Sequence, residues 1–153
     1  SVIPVFMNQR DTGCLTVTDE RMTRFWITLD QGVRFVSKCI KHMHGGEVFV
    51  PKIPSMKVVD LARAIAPECD LRNIGIRPGE KLHEVLVSES EAHHTLECDD
   101  MYVVKPLHSW WNTHNWETGK KLPEGYRYVS DTNEQWLSVE DLRAMINEYG
   151  NIA

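Results

Sequence analysis

Between Glu47 and Ile76 the hydrophobic rhythm of the chain changes twice. Glu47-Val48-Phe49-Val50 is a short β-branched and aromatic run ended by Pro51. Val58, Leu61, Ala62 and Ile65 then recur at helical spacing behind Ser55, a residue type suited to an N-cap, and Pro67 closes that stretch. Leu71 to Ile76 returns to an extended pattern and runs into Arg77-Pro78-Gly79-Glu80. Strand, helix and strand at this spacing predict an α/β arrangement, because each element has one apolar face that must be covered by the next layer.

The flanking sequence fits the same class. Pro4 falls where a helix can begin, and Val2, Ile3, Val5, Phe6 and Met7 make an apolar opening closed by Gln9-Arg10-Asp11. Two short strands, one from Leu15 and one over Arg24–Thr28, flank the polar turn Asp19-Glu20-Arg21. Thr28 suits the N-cap of a helix carrying Leu29, Gly32, Val33, Val36 and Ile40, with a stop at Gly45-Gly46. Leu82, Val85 and Leu86 suggest one or two helical turns. Residues 88–100 are acidic and read as a solvated surface, Met101–Val104 as a short strand, and residues 105–134 as an irregular excursion holding Trp110, Trp111 and Trp116. Ser138 with Asp141 predicts a capping box, Leu137 and Leu142 a hydrophobic staple, and Leu142, Met145 and Ile146 a buried stripe.

With 153 residues, 42% hydrophobic and 25% charged, the chain has the composition of a folded globular domain, and no apolar run is long enough to span a membrane. The formal net charge of −5 argues against a nucleic-acid surface, so an anionic ligand must be held by a few placed cations. Cys14, Cys39, Cys69 and Cys98 form no C-x-x-C pair, which leaves reduced thiols in a cytoplasmic protein as the expectation. No signal peptide is visible, and Ser1-Val2-Ile3-Pro4 reads as mid-protein sequence.

The sharpest chemical signal is the segment Gly75 to Glu84. A strand end there delivers Arg77 and Glu80 around a rigid Pro-Gly turn. Arginine grips phosphate oxygens with a planar fork, and a carboxylate three residues on suits a vicinal diol such as a ribose. The same residues equally describe an exposed surface turn with an ion pair. Arg24, directly before an apolar strand, supplies a second cation, although a lone arginine in that position is commonly only solvated.

These stretches carry a resemblance. Ser1-Val2-Ile3-Pro4, Arg21-Met22-Thr23-Arg24-Phe25-Trp26, Val50-Pro51-Lys52-Ile53-Pro54-Ser55, Ile76-Arg77-Pro78-Gly79-Glu80-Lys81-Leu82-His83-Glu84 and Asn133-Glu134-Gln135-Trp136-Leu137 together resemble the C-terminal part of the inverting, NADP-dependent UDP-N-acetylglucosamine 4,6-dehydratases. That extended short-chain dehydrogenase group feeds pseudaminic acid, flagellin glycan and capsule synthesis in bacteria. The resemblance runs from residue 1 to about Ile146. It implies a mixed α/β fold forming the C-terminal, nucleotide-sugar-binding portion over residues 1–153, lacking most of the Rossmann domain.

By the same resemblance, Arg77 and Arg24 would hold the UDP phosphates and Glu80 the uridine ribose, with Ser1, Val2 and Pro4 lining the nucleotide site more weakly. Many relatives carry Asp after the first arginine, whereas this chain has Phe25, a departure the dehydratase subgroup shares. The family's glycine-rich dinucleotide turn and Tyr-x-x-x-Lys pair do not occur here, since Tyr102, Tyr126, Tyr128 and Tyr149 each lack a lysine four residues on. NADP would therefore belong to the complete enzyme, and the chain alone would bind no cofactor, contain no catalytic residue and be inactive. In the complete enzyme the implied reaction is oxidation at C4 of the sugar, loss of water across C5 and C6, and hydride return to C6 with inversion at C5.

Other candidates have plainer readings. His42, His44, His93 and His94 lack carboxylate or cysteine partners at ligand spacing, so no metal is expected. His83 suits a structural hydrogen bond or a proton transfer. The Trp110–Trp116 cluster suits loop packing, a subunit contact or stacking on a sugar. Three functional classes stand at this point: the substrate-binding part of a UDP-sugar dehydratase, a free-standing nucleotide-sugar module, or an oligomerisation element in a homo-oligomer.

Overall fold

The computed structural model describes residues 2–108, 110–111 and 115–150. In chain order the elements are α1 (Val2–Arg10), β1 (Cys14–Val17), β2 (Thr23–Phe25), α2 (Leu29–His42), β3 (Val48–Pro51), β4 (Ser55–Lys57), α3 (Val58–Ile65) and β5 (Asp70–Asn73). They continue with β6 (Val85–Val87), α4 (Glu89–Ala92), β7 (Thr95–Glu97), β8 (Met101–Val104), β9 (Lys120–Lys121), β10 (Tyr128–Val129) and α5 (Val139–Gly150). The mixed α/β class expected from the sequence is the one observed. The chain divides into two compact units, each built from separate stretches of sequence: Ser1–Trp26 with Pro54–Glu84 and Ser130–Ala153, and Ile27–Ile53 with Val85–Val129.

The first unit is held by α3, which buries Val58, Val59, Leu61, Ala62 and Ala64 and packs against α1, α5 and β1. Five buried residues in one helix of eight leave only a narrow polar face of Asp60 and Arg63, and a helix this short is held by packing more than by helix propensity. Phe6, Leu15, Val17, Met56 and Leu142 complete the core. β1 pairs in parallel with β5 and β2 pairs antiparallel with β4, so the two strands flanking the Asp19–Arg21 turn each find a partner elsewhere. The Gln9 side chain ties α1 to β1, donating to Thr16 Oγ1 at 2.8 Å and accepting the Thr16 N–H at 3.0 Å. At the other end, Ser138 Oγ accepts the Asp141 N–H and the Asp141 carboxylate accepts the Ser138 N–H, the expected capping box.

The second unit is a four-stranded antiparallel sheet in the order β3-β8-β7-β9, with β6 and β10 forming a separate antiparallel pair. Val50, Leu96, Met101, Val103 and Val129 are buried in it. α2 begins at the expected cap, where Thr28 Oγ1 accepts the Gln31 N–H at 3.2 Å and the Gln31 side chain accepts the Thr28 N–H at 3.0 Å. Its end is followed by Gly45 and Gly46 at φ of 104° and 90°, a backbone that other residues adopt only with strain.

Three expectations are corrected. Val85 and Leu86 belong to a strand, because Val85 and Val87 find partners in β10 and the β-branched pair outweighs a helical reading of Leu82 to Leu86. Ser55 does not cap a helix. It lies fully buried in β4, donating its N–H to the Gln135 carbonyl at 2.8 Å, and α3 starts at Val58 without a side-chain cap. Residues 88–100 are more than a solvated surface, since Ser88 and Glu91 form a second capping box that opens α4, and β7 follows.

Candidate functional site

The Arg77–Glu80 turn is built to be stiff. Pro78 fixes its φ, Gly79 sits at φ 82°, and this order of residues is the signature of a type II turn. The Glu80 N–H donates to the Arg77 carbonyl at 3.0 Å, and the Glu80 carboxylate accepts the Arg77 N–H at 3.3 Å. The Arg77 side chain is exposed, and its guanidinium has no ion-pair partner among the described residues. The sequence-level alternative of an Arg77–Glu80 side-chain ion pair is therefore not what forms: Glu80 bonds the backbone and leaves the arginine fork available.

Arg24 reaches the same loop from β2. Its Nη1 donates to the Thr23 carbonyl at 2.7 Å and the Leu82 carbonyl at 3.1 Å, and Nη2 donates to the Lys81 carbonyl at 2.9 Å. Nε stands 3.4 Å from the Glu84 carboxylate. With 24% of its side chain exposed, Arg24 is a half-buried clamp that fixes the residues immediately after Glu80. The backbone adds to it, since the Thr23 N–H also donates to Leu82 O at 3.1 Å. Thus the structure brings Arg24, Arg77 and Glu80 to one loop, with Arg24 engaged and Arg77 free to meet a ligand.

The weaker candidates fall elsewhere. Val2 lies in the first turn of α1, partly packed on the core, and Pro4 is exposed on the same helix. Ser1 lies outside the described residues. His83, for which the motif suggested a structural hydrogen bond or a proton transfer, makes a hydrogen bond: its Nδ1 is 2.8 Å from Thr23 Oγ1, and its Nε2 is 3.7 Å from Asp131. The contact of Thr23 with Ser130 and the neighbouring Asp131 carried no signal in the sequence, because two hydroxyls 107 residues apart form no local motif.

Asp19, near this cluster, is held to about 2 by the Arg21 side chain and Arg21 backbone N–H that bond it. In the second unit, Trp111 is buried with its indole N–H on the Gly45 carbonyl at 2.9 Å, and Trp116 donates to Glu47 at 3.1 Å while meeting Phe49 edge-on. Loop packing accounts for both, while Trp110 stays exposed and stacks on His108. Thr113 and His114 lie outside the described residues. Among the described residues no group of three or more His, Cys, Asp or Glu could hold a metal, all four cysteines are free thiols, and no helix is long and apolar enough to cross a membrane. Among the described residues the positive-φ glycines stand in loops and none joins a strand to a helix, so they do not form the glycine turn that would cradle the phosphates of a dinucleotide cofactor.

Comparison with known proteins shows what the chain as a whole is similar to. Residues 1–106 match the model of a family described as polysaccharide biosynthesis protein. The chain is 44% identical over 156 aligned residues to the inverting UDP-N-acetylglucosamine 4,6-dehydratase of Campylobacter jejuni subsp. jejuni serotype O:2, covering 96% of this chain and 47% of that one. It is 40% identical over 107 residues to a UDP-glucose 4-epimerase of Rickettsia conorii, covering 67% of this chain and 31% of the relative. The X-ray structure of Pen from Bacillus thuringiensis superposes with a TM-score of 0.79 at 32% identity, covering 98% of this chain and 46% of that chain. The chain thus spans about half the length of the dehydratase and of Pen.

Proposed function

Because the chain belongs to the polysaccharide biosynthesis protein family, we propose that it is the substrate-binding part of a UDP-N-acetylglucosamine 4,6-dehydratase, with Arg77, Glu80 and Arg24 as its handle on UDP. Its fold is that of part of an extended short-chain dehydrogenase. The observation that carries the reading is the unpaired Arg77 guanidinium on a turn closed by Glu80. A relative named as a dehydratase and another named as an epimerase share the name of one substrate half, UDP, and differ in the chemistry done on the sugar. A grip on the diphosphate and ribose is what both would need.

On this reading Arg77 takes the diphosphate oxygens bidentately and the Glu80 carboxylate accepts from the ribose diol. Arg24 keeps the loop in place through the Lys81 and Leu82 carbonyls and lends its charge to the phosphates. Ser1, Val2 and Pro4 line the nucleotide at its edge. NADP in the complete enzyme would supply the hydride chemistry, and the residues here would orient the sugar using binding energy from a remote part of the substrate. The product would be a UDP-4-keto-6-deoxy-aminosugar for a flagellin glycan or capsule, made in the cytoplasm. A homo-oligomeric assembly is the second reading, favoured by the exposed apolar face of α2.

Calorimetric titration of this chain with UDP-N-acetylglucosamine, beside Arg77→Ala, tests the handle. Loss of a charge-assisted bidentate contact removes roughly 1.5 to 3 kcal/mol, so affinity should drop about ten- to a hundredfold. A folded chain that binds no UDP-sugar, or binds equally well without Arg77, overturns the assignment.

A further inference from the structure

Behind the Arg24–Glu84 pair, side chains from three distant parts of the chain form a line. Thr23 Oγ1 lies 2.8 Å from His83 Nδ1 and 2.6 Å from Ser130 Oγ, and Ser130 Oγ accepts the Glu84 N–H at 2.9 Å. Ser130 is fully buried and Thr23 is 4% exposed. The Ser130 N–H in turn donates to the Glu84 carbonyl at 2.9 Å and the Thr23 N–H to the Leu82 carbonyl at 3.1 Å, so the line is pinned to the backbone on either side of His83.

Each hydroxyl carries a single proton, and that fixes the direction of the line. If Thr23 donated to Ser130, the Ser130 proton would have no acceptor among the described residues, since Ser130 Oγ meets only Thr23 and an N–H donor. A buried polar proton without a partner is what folded proteins avoid. In the satisfied arrangement Ser130 donates to Thr23, and Thr23 donates to His83 Nδ1. His83 is then neutral, with its proton on Nε2 facing the Asp131 carboxylate at 3.7 Å.

We propose that His83 is a positioning residue for the diphosphate grip: its neutral form holds the Ser130–Thr23–His83 chain in the one direction that satisfies both hydroxyl protons, and a proton taken up at Nδ1 reverses that chain and loosens Glu84 and Arg24. The reversal is simple to follow. An imidazolium Nδ1–H must donate to Thr23, Thr23 must turn to Ser130, and the Ser130 proton is stranded beside the Glu84 N–H. Glu84 carries the carboxylate opposite Arg24 Nε, and the Thr23 carbonyl holds Arg24 Nη1, so both ends of the clamp feel the change. The charged groups around His83 are Asp131, Asp19 and Glu84, with Arg21 paired to Asp19 and Arg24 to Glu84. The functional consequence rests on the UDP reading above; the proton arrangement does not.

The test is a pH titration of the chain followed by two-bond proton–nitrogen spectra of the histidine rings and by the Glu84 backbone amide, without ligand. The expected result is an Nε2–H tautomer at pH 8 and a Glu84 amide that moves with the midpoint of His83. A proton on Nδ1 at pH 8, or a Glu84 amide indifferent to His83, overturns the proposal. In Thr23→Val the coupling should vanish; if that variant does not fold, the wild-type titration still decides. UDP-N-acetylglucosamine, whose diphosphate is blocked at both ends, then serves as the binding probe. Its affinity should fall several-fold through the His83 midpoint, and in His83→Asn the pH dependence should disappear. A wild-type affinity that does not follow His83 refutes the positioning role. Absence of binding at every pH, with the tautomer and the coupling as expected, rejects only the UDP reading.

Discussion

Glu80 closes on Arg77 twice, donating its N–H to the Arg77 carbonyl at 3.0 Å and accepting the Arg77 N–H on its carboxylate at 3.3 Å. Gly79 makes this geometry possible, because its φ of 82° lies in the left-handed region. A Cβ there would meet nothing within 4 Å, so the cost of Gly79→Ala is one of backbone conformation alone. That cost is about 1 to 2 kcal/mol. Urea unfolding should show a loss of this size, together with weaker UDP-sugar binding. An unchanged midpoint would mean that the turn adapts without the positive φ.

The acid side of the stability profile follows from carboxylates held by local donors. Asp141 is lowered by the Ser138 backbone N–H first and by the Ser138 hydroxyl second, and Asp19 is lowered to about 2 through Arg21. A depressed folded value means that the unfolded chain binds protons more readily at low pH. The contribution is complete above the ordinary aspartate value of 3.8 and is lost as pH falls toward about 2. Melting temperature should therefore drop over that window, and Asp19→Asn should flatten part of the drop. Ser138→Ala removes the cap of α5 and should cost about 1 kcal/mol at neutral pH.

Most of the first unit was legible because its elements declare themselves locally. The α3 stripe, the Ser138–Asp141 box and the Arg77–Glu80 turn each depend on residues within a few positions of one another. What escaped depends on pairing across the chain. Val85 to Val87 became a strand only because β10 lies beside it, and Ser55 was spent on Gln135 and Leu137 instead of a helix cap. The site shows the same division. Arg24, Arg77 and Glu80 were visible in the motif, whereas the clamp between Arg24 and the Lys81 and Leu82 carbonyls spans 57 and 58 residues and uses backbone acceptors that no residue type announces.

Two tyrosines should resist ionisation. Burial raises Tyr102 first, and its hydrogen bond with Tyr126 adds to the shift; burial likewise raises Tyr128, outweighing the Ile53 N–H that donates to its hydroxyl at 2.9 Å and acts in the opposite direction. A raised folded value gives a stabilising contribution that is complete below the ordinary tyrosine value of 10.0 and is lost as pH rises beyond it. Ultraviolet titration of the folded chain should therefore show less phenolate near pH 11 than the same chain in denaturant. Equal absorbance in the two states would mean that Tyr102 and Tyr128 are reached by water.

α2 leaves a stripe of apolar residues uncovered. Leu29, Val33, Val36 and Ile40 recur at alternating intervals of four and three residues and are 84%, 57%, 56% and 64% exposed. Such a stripe is wide enough to seek cover, and apolar patches of this kind drive association. The charged residues beside it do not block approach, since Asp30 and Arg34 are paired with each other at 2.8 Å. Sedimentation of the chain should therefore show mass increasing with concentration, and Val33→Glu with Val36→Lys should return it to a monomer. Because both side chains are more than half exposed, the double variant should keep its unfolding free energy within about 0.5 kcal/mol per site. A compact wild-type monomer at high concentration would show that this face does not associate, and a large loss of stability in the variant would show that it is not exposed in solution.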